Sequence, residues 1–201
     1  MMTSKKTLLM NYIKGKHGIA AFSDIQRAGF HKTTLNILTR SGQIRKVDRG
    51  FYRLSSGTTL SNPDLAAISV KAPNAIVCLI SALYFHGATD EIPRHVDLAV
   101  VEGSRSYRIK YPPVQFYHFS KNTWKAGIEE HKMDGYTVRI YNLAKTVVDC
   151  FKFRSKVGID VAHKALKNAV LEKHVAPAEI MRYAKICRVH NVIQPMLEMI
   201  L

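Results

Sequence analysis

Apolar positions recur at helical spacing at Leu8, Leu9, Tyr12 and Ile13, and the stretch stops at Gly15 and Gly18, which predicts a first helix over residues 4–14. Ser23-Asp24-Ile25-Gln26 has the form of a capping box, a hydroxyl at the N-cap and a Gln three residues on, and predicts a short second helix ended by Gly29. Leu35 and Leu38 mark the inner face of a third helix over residues 32–41, closed by Gly42. Two short β-type runs follow at 44–47 and 51–54, joined by Asp48-Arg49-Gly50. Three helices and then a basic hairpin is the order of a winged helix-turn-helix, the expected architecture of residues 1–56.

Beyond the small polar stretch Ser55-Ser56-Gly57-Thr58-Thr59-Leu60-Ser61-Asn62-Pro63, read as linker and boundary, the pattern turns mixed α/β over 57–201. Asn62-Pro63-Asp64 supplies an N-cap, a first-turn proline and an acidic residue for a helix ending before Pro73. Residues 76–86 read as a buried helix stopped by Gly87, and strand-like runs follow at 95–101, 114–119, 128–133 and 136–141. Asp134-Gly135 between the last two is a strong hairpin signal. Helices are expected over 143–153, about 160–172, 177–188 and 192–201. The fold class is therefore α/β (α+β): a winged helix-turn-helix, then a mixed domain with a small, mainly antiparallel sheet and a C-terminal set of helices.

Charge sharpens this division. The chain of 201 residues has 30 Lys+Arg against 15 Asp+Glu, a formal +15, in otherwise ordinary globular proportions. Residues 1–60 hold 11 basic and 2 acidic side chains, residues 61–144 hold 9 and 8, and residues 145–188 hold 10 and 4, so two basic blocks flank a neutral middle. Such an excess calls for an acidic partner: nucleic acid, an anionic membrane surface or an acidic protein. The longest apolar run, 75–85, is interrupted by Ser81 and falls far short of the roughly 20 residues that span a bilayer, so no transmembrane helix is expected, and a membrane is not among the partners expected of the chain. Cys78, Cys150 and Cys187 lie in apolar stretches without C-x-x-C spacing, as reduced core residues of a cytoplasmic protein do.

The first basic block carries the chemistry. With Leu35 and Leu38 turned inward, the third helix presents Lys32, Thr33, Thr34, Asn36 and Arg40. Asn pairs bidentately with adenine and Arg with guanine, and Thr touches a thymine methyl or a phosphate. Arg45, Lys46, Arg49 and Arg53 crowd the hairpin, where phosphate would relieve their mutual repulsion, and Ser23 at the start of the second helix offers a further phosphate contact. Double-stranded DNA is thus the partner expected of this module.

The rest of the chain shows no comparable chemistry. No H-E-x-x-H, H-x-H, C-x-x-C, G-x-x-x-x-G-K-[ST] or G-x-G-x-x-G occurs, so neither a metal, a cofactor nor a nucleotide loop is expected. Ser81, Asp149 and His163 form a triad on paper only, without a nucleophile elbow, and no catalysis is expected. Asp97 and Asp149 would suit a divalent cation, but Lys145, four residues before Asp149, is a sufficient helical ion-pair partner. Lys145, Lys152 and Lys156 share helical spacing, and Arg154 and Arg188 add charge, which reads either as a second patch for nucleic acid or an acidic partner or as a solvated surface.

The chain resembles the AbiEi-like antitoxins of abortive-infection (type IV) toxin-antitoxin systems. The segments that carry the resemblance are Arg49-Gly50-Phe51-Tyr52-Arg53-Leu54, Cys78-Leu79-Ile80-Ser81-Ala82-Leu83-Tyr84-Phe85-His86-Gly87 and Ala144-Lys145-Thr146-Val147-Val148-Asp149-Cys150-Phe151-Lys152-Phe153-Arg154. It continues through Lys156-Val157-Gly158-Ile159-Asp160-Val161-Ala162 and Tyr183-Ala184-Lys185-Ile186-Cys187-Arg188-Val189. The resemblance implies an operon-encoded antitoxin that represses its own promoter by binding inverted repeats and neutralises a nucleotidyltransferase-type toxin without a stable complex, in phage defence or mobile-element maintenance. It also implies an antitoxic role for the surface around Lys145, Lys152, Arg154, Lys156 and Arg188. A ligand-responsive winged-helix regulator, with an apolar sensing pocket, and an RNA-binding protein are the competing readings.

Overall fold

Leu9, Ile13, Ile25, Leu35, Leu38 and Ile44 expose no surface, and burying each contributes about 1.5–3 kcal/mol to a small core around which the N-terminal elements assemble. The computed structural model describes residues 4–16, 18–48, 50–55, 62–104, 107–133 and 135–201. The chain forms two compact units, Met1–Pro73 with Tyr107–Pro112 and Lys132–Thr137, and Asn74–Ser106 with Pro113–His131 and Val138–Leu201.

In the first unit, α1 (Lys5–Gly15) starts at Ser4, whose hydroxyl accepts the Lys6 N–H. A three-residue strand, β1 (Ile19–Ala21), leads directly into α2 (Phe22–Arg27), and α3 (Lys32–Arg40) follows. The capping box expected at Ser23 does not form. Ala21 is the N-cap, without a side-chain bond, and Ser23 lies inside the first turn, because the Phe22 N–H is taken by the Gly50 carbonyl at 2.6 Å and starts the helix earlier. Strands β2 (Ile44–Asp48) and β3 (Phe51–Leu54) complete an antiparallel sheet of order β1-β3-β2, with a register irregularity between Lys46 and Asp48. Gly50 takes the positive φ of +80° that the turn demands.

Residues 56–61, where the domain boundary is expected, lie outside the described residues. Helix α4 (Pro63–Lys71) has Asn62 as N-cap and Pro63 in its first turn, as its sequence predicts. An assignment of 57–201 to the second domain would separate it from the hairpin. It is instead part of the first compact unit, where the Lys71 ammonium stands 5.3 Å from the Phe51 ring centroid and α4 packs near β1.

The second unit opens with a departure from the sequence pattern. Residues 76–86 are not one helix: β4 (Ile76–Val77) is a strand, and α5 (Leu79–Phe85) follows with its first residue, Leu79, at φ +47°. The two β-branched residues pair antiparallel with β5 (Val96–Val101) on one side. Then come β6 (Val114–Phe119), the short helix α6 (Lys121–Lys125), β7 (Ile128–Met133) and β8 (Tyr136–Tyr141). Val77 pairs parallel with Ile140 of β8, and β5 and β6 pair parallel in full register. The sheet, of order β6-β5-β4-β8-β7, is therefore mixed where mainly antiparallel pairing is the sequence expectation. The connection between β5 and β6 is long enough to return the chain for a parallel pairing, which no local pattern records. Asp134 of the expected turn lies outside the described residues; Gly135 beside it has φ +81°.

Helices α7 (Leu143–Lys152), α8 (Arg154–Val157), α9 (Ile159–Leu171), α10 (Pro177–Cys187) and α11 (His190–Glu198) form the C-terminal set. Every residue of α7 from Ala144 to Phe151 is buried, since α5, α9, α10 and α11 pack around it. Asn142 caps α7 by accepting the Lys145 N–H at 2.9 Å, and its own amide donates to the Tyr183 hydroxyl of α10.

Candidate nucleic-acid interface

A helix that turns Leu35 and Leu38 fully inward leaves an outward stripe set by the same period. On α3 that stripe is Thr33, Asn36, Ile37 and Arg40, all exposed, with Lys32 exposed at the N-terminal end and Thr34 half-buried at its flank. The C-terminal turn is fastened from within: the Thr39 hydroxyl donates to the Leu35 carbonyl at 2.8 Å and the Ser41 hydroxyl to the Leu38 carbonyl at 3.1 Å. Asn36 and Arg40 thus project from the outward face of a one-sided helix, the form in which a helix enters a major groove.

The hairpin adds a second basic feature. Its register sets Arg45 directly opposite Arg53 on the face away from Ile44 and Leu54, both of which are buried. Like charges directly opposite across a strand pair repel. Among the described residues no carboxylate lies within ion-pair distance of Arg45, Lys46, Arg53, Lys32 or Arg40. Arg45 and Lys46 are exposed and Arg53 half-buried, so these cations are available to an anion from solution. Arg49 lies outside the described residues. Ser23 is exposed in the first turn of α2, beside Asp24, whose carboxylate is 3.2 Å from Arg27 and already complements the helix N-terminus.

The second basic group is only partly a surface. Lys145 does not belong to it: its side chain exposes nothing, and its ammonium lies 2.6 and 2.5 Å from the two oxygens of Asp149, which is equally buried. The ring centroids of Tyr141 and Phe119 stand 4.1 and 4.9 Å away and close the cation in. Burial, the largest influence, pushes the Asp149 carboxyl upward against the opposing pull of Lys145. The Cys187 thiol, 3.7 Å from Asp149, is pushed up to about 11 by burial and by that carboxylate. Lys152 is half-buried, and Arg154, Lys156 and Arg188 are exposed. Lys152, Arg154, Ser155 and Ile159 line an open groove of about 560 Å³. Lys156 leans over Tyr117 and Phe153, with 5.5 and 5.9 Å to the centroids, and the Arg154 guanidinium donates to the Phe151 carbonyl at 2.9 Å.

Asp97 and Asp149 take separate roles. Asp97, on β5, accepts the backbone N–H of Ser81 at 3.2 Å, its own N–H donates to the Ser81 hydroxyl at 2.9 Å, and His95 Nε2 stands 3.0 Å from its other oxygen. Burial raises its carboxyl above the ordinary range despite these contacts. Ser81 is thus tied to Asp97, Asp149 to Lys145, and His163 packs against Phe151 at 5.7 Å, so the paper triad is not assembled. Among the described residues no three His, Cys, Asp or Glu side chains converge as metal ligands, and no helix is long and apolar enough to cross a membrane.

A one-sided third helix followed by a basic hairpin, joined to a mixed α/β unit, defines a winged helix-turn-helix protein with a second domain. Residues 8–55 match the family model described as transcriptional regulator, AbiEi antitoxin, which supports a DNA-binding regulator of antitoxin type. The fold as a whole is similar to the crystal structure of the RV2827C protein from Mycobacterium tuberculosis, with a TM-score of 0.65 at 12% identity, over 95% of this chain and 79% of that one. No curated protein matches the chain.

Proposed function

We propose that the protein is an antitoxin that also represses its own promoter, reading inverted repeats with α3 and the hairpin and neutralising a nucleotidyltransferase-type toxin, in phage defence or mobile-element maintenance. The observation that carries the DNA half is the exposed Thr33, Asn36 and Arg40 stripe beside an arginine pair set face to face without a carboxylate among the described residues. Asn36 and Arg40 read base edges; Lys32, Arg45, Lys46, Arg49 and Arg53, with Ser23, Thr33 and Thr34, engage phosphates and the groove wall. The antitoxic half rests on the match of residues 8–55 and on the exposed Arg154, Lys156 and Arg188 with half-buried Lys152, while Lys145 supports that surface from inside.

The test is a salt titration of full-length protein on its own upstream DNA and on scrambled DNA. About six neutralised phosphates give a slope of log K against log salt near −5. A Lys32/Asn36/Arg40 triple-Ala variant loses the preference for its own DNA. The same full-length variant, co-expressed with the neighbouring toxin, still rescues growth if antitoxicity resides in the second unit. Equal wild-type affinity for both DNAs overturns the repressor half, and failure of wild type to rescue overturns the antitoxic half.

A further inference from the structure

Ile37 stands in the middle of the outward stripe of α3, 42% exposed, while Leu35 and Leu38 on the same helix expose nothing. It is not among the half-buried side chains packed on the first unit's core, which are Met10, Tyr12, Phe22, Phe30 and Tyr52. Single exposed aliphatic residues are common and by themselves carry no meaning. This one has Thr33 one turn before it, Asn36 beside it and Arg40 three residues on, so it is the apolar member of a stripe made otherwise of hydrogen-bonding side chains. Helix propensity does not account for it either, since a β-branched side chain is a poorer helix former than Leu, Lys or Glu.

We propose that Ile37 is a specificity-determining residue that recognises the C5-methyl group of a thymine in the major groove, next to the bases read by Asn36 and Arg40. The inference rests on the reading of α3 as the DNA-recognition helix. In that groove thymine alone among the four unmodified bases presents a methyl group; guanine, adenine and cytosine present donors or acceptors. An isoleucine side chain has neither donor nor acceptor. Against thymine it removes two apolar surfaces from water, and against any other base it strips water from a polar edge without replacing the lost hydrogen bond. Selection therefore comes from attraction to one base and from a penalty on the others.

The experiment uses full-length protein and fragments of its own upstream DNA in which each thymine in turn is replaced by deoxyuridine, deleting one methyl and no hydrogen-bonding group. Wild type is expected to lose about fourfold in affinity, the 0.8 kcal/mol of one buried carbon, at one position per half-site. Ile37→Ala is expected to bind the thymine and deoxyuridine forms equally at that position. It should keep its preference for this DNA over scrambled sequence and its far-ultraviolet circular dichroism. Discrimination at that position retained by Ile37→Ala overturns the proposal, as does the absence of any sensitive position in a wild type that prefers its own DNA. Intact discrimination with lost self-association would assign Ile37 to a contact between two copies, again overturning it. A wild type without preference for its own DNA removes the underlying reading, and the proposal falls with it.

Discussion

Replacing Lys145 by Met deletes a charge while keeping most of the volume, and it does so where neither partner of the ion pair exposes any surface. The ammonium holds both Asp149 oxygens at 2.6 and 2.5 Å; without it, the hydrogen-bond partner left to the carboxylate among the described residues is the Cys187 thiol at 3.7 Å. Breaking a buried pair by removing one partner costs about 3–5 kcal/mol, most of it the burden of an uncompensated charge. With a urea dependence of about 2 kcal/mol per molar, the midpoint for the second unit falls by about 1.5–2.5 M. Equilibrium urea unfolding followed by circular dichroism measures this. The double variant Lys145→Met with Asp149→Leu, which removes both charges from the same apolar surroundings, should recover most of the loss. A single variant within about 1 kcal/mol of wild type, or a double variant no better than the single, would refute the reasoning. Loss of antitoxic function in Lys145 variants would then follow from loss of fold rather than from loss of a contact with a partner.

Gly127→Ala should destabilise the second unit by about 2–4 kcal/mol, since a Cβ there meets Lys145 Cβ at 2.6 Å on a backbone with φ +73°; thermal denaturation indistinguishable from wild type contradicts this. Arg45→Ala relieves the opposition to Arg53, so stability should hold or rise slightly while DNA affinity drops and the salt slope becomes shallower by about 1; an unchanged slope removes Arg45 from the phosphate contacts. Burial raises the Asp97 carboxyl above its ordinary 3.8, so the folded state binds more protons than the unfolded chain between that value and the raised one. Stability from this group is present at low pH and is lost as pH rises through that window. Urea midpoints from pH 4 to 7 should decline less steeply for Asp97→Asn, and parallel curves would count against the assignment.

Elements with strong periodicity were legible in the chain. The strands at 114–119, 128–133 and 136–141 coincide with the structure because alternation is a local property. Strand β4 was not legible, because two β-branched residues at the head of an apolar run carry no period of their own. Ser23 misled for a related reason: a capping box is a local signal, and the Gly50 carbonyl, far along the chain, decided where α2 starts. Likewise the inward pair Leu35 and Leu38 placed Asn36 and Arg40 outside, but Ile37 was missed because an aliphatic residue reads as core until its exposure is known. Lys145 shows the converse. Its four-residue spacing from Asp149 identified the partner, while its burial depends on Gly127, Tyr141 and Phe119, which only the tertiary fold brings together.

The two-residue strand β4 sits at the centre of its sheet, antiparallel to β5 on one side and parallel to β8 on the other. During synthesis the two sides do not become available together. At ribosomal speeds of about 5–20 residues per second, the roughly sixty residues separating Val77 from Ile140 take several seconds to emerge. Through that interval the edge of β4, formed by the apolar Ile76 and Val77, has no native neighbour on the β8 side and is open to pairing with another chain. A nascent chain halted before Tyr141 would therefore be prone to aggregation. The seam of the sheet makes slow or interrupted translation a route to losing this protein before it ever folds.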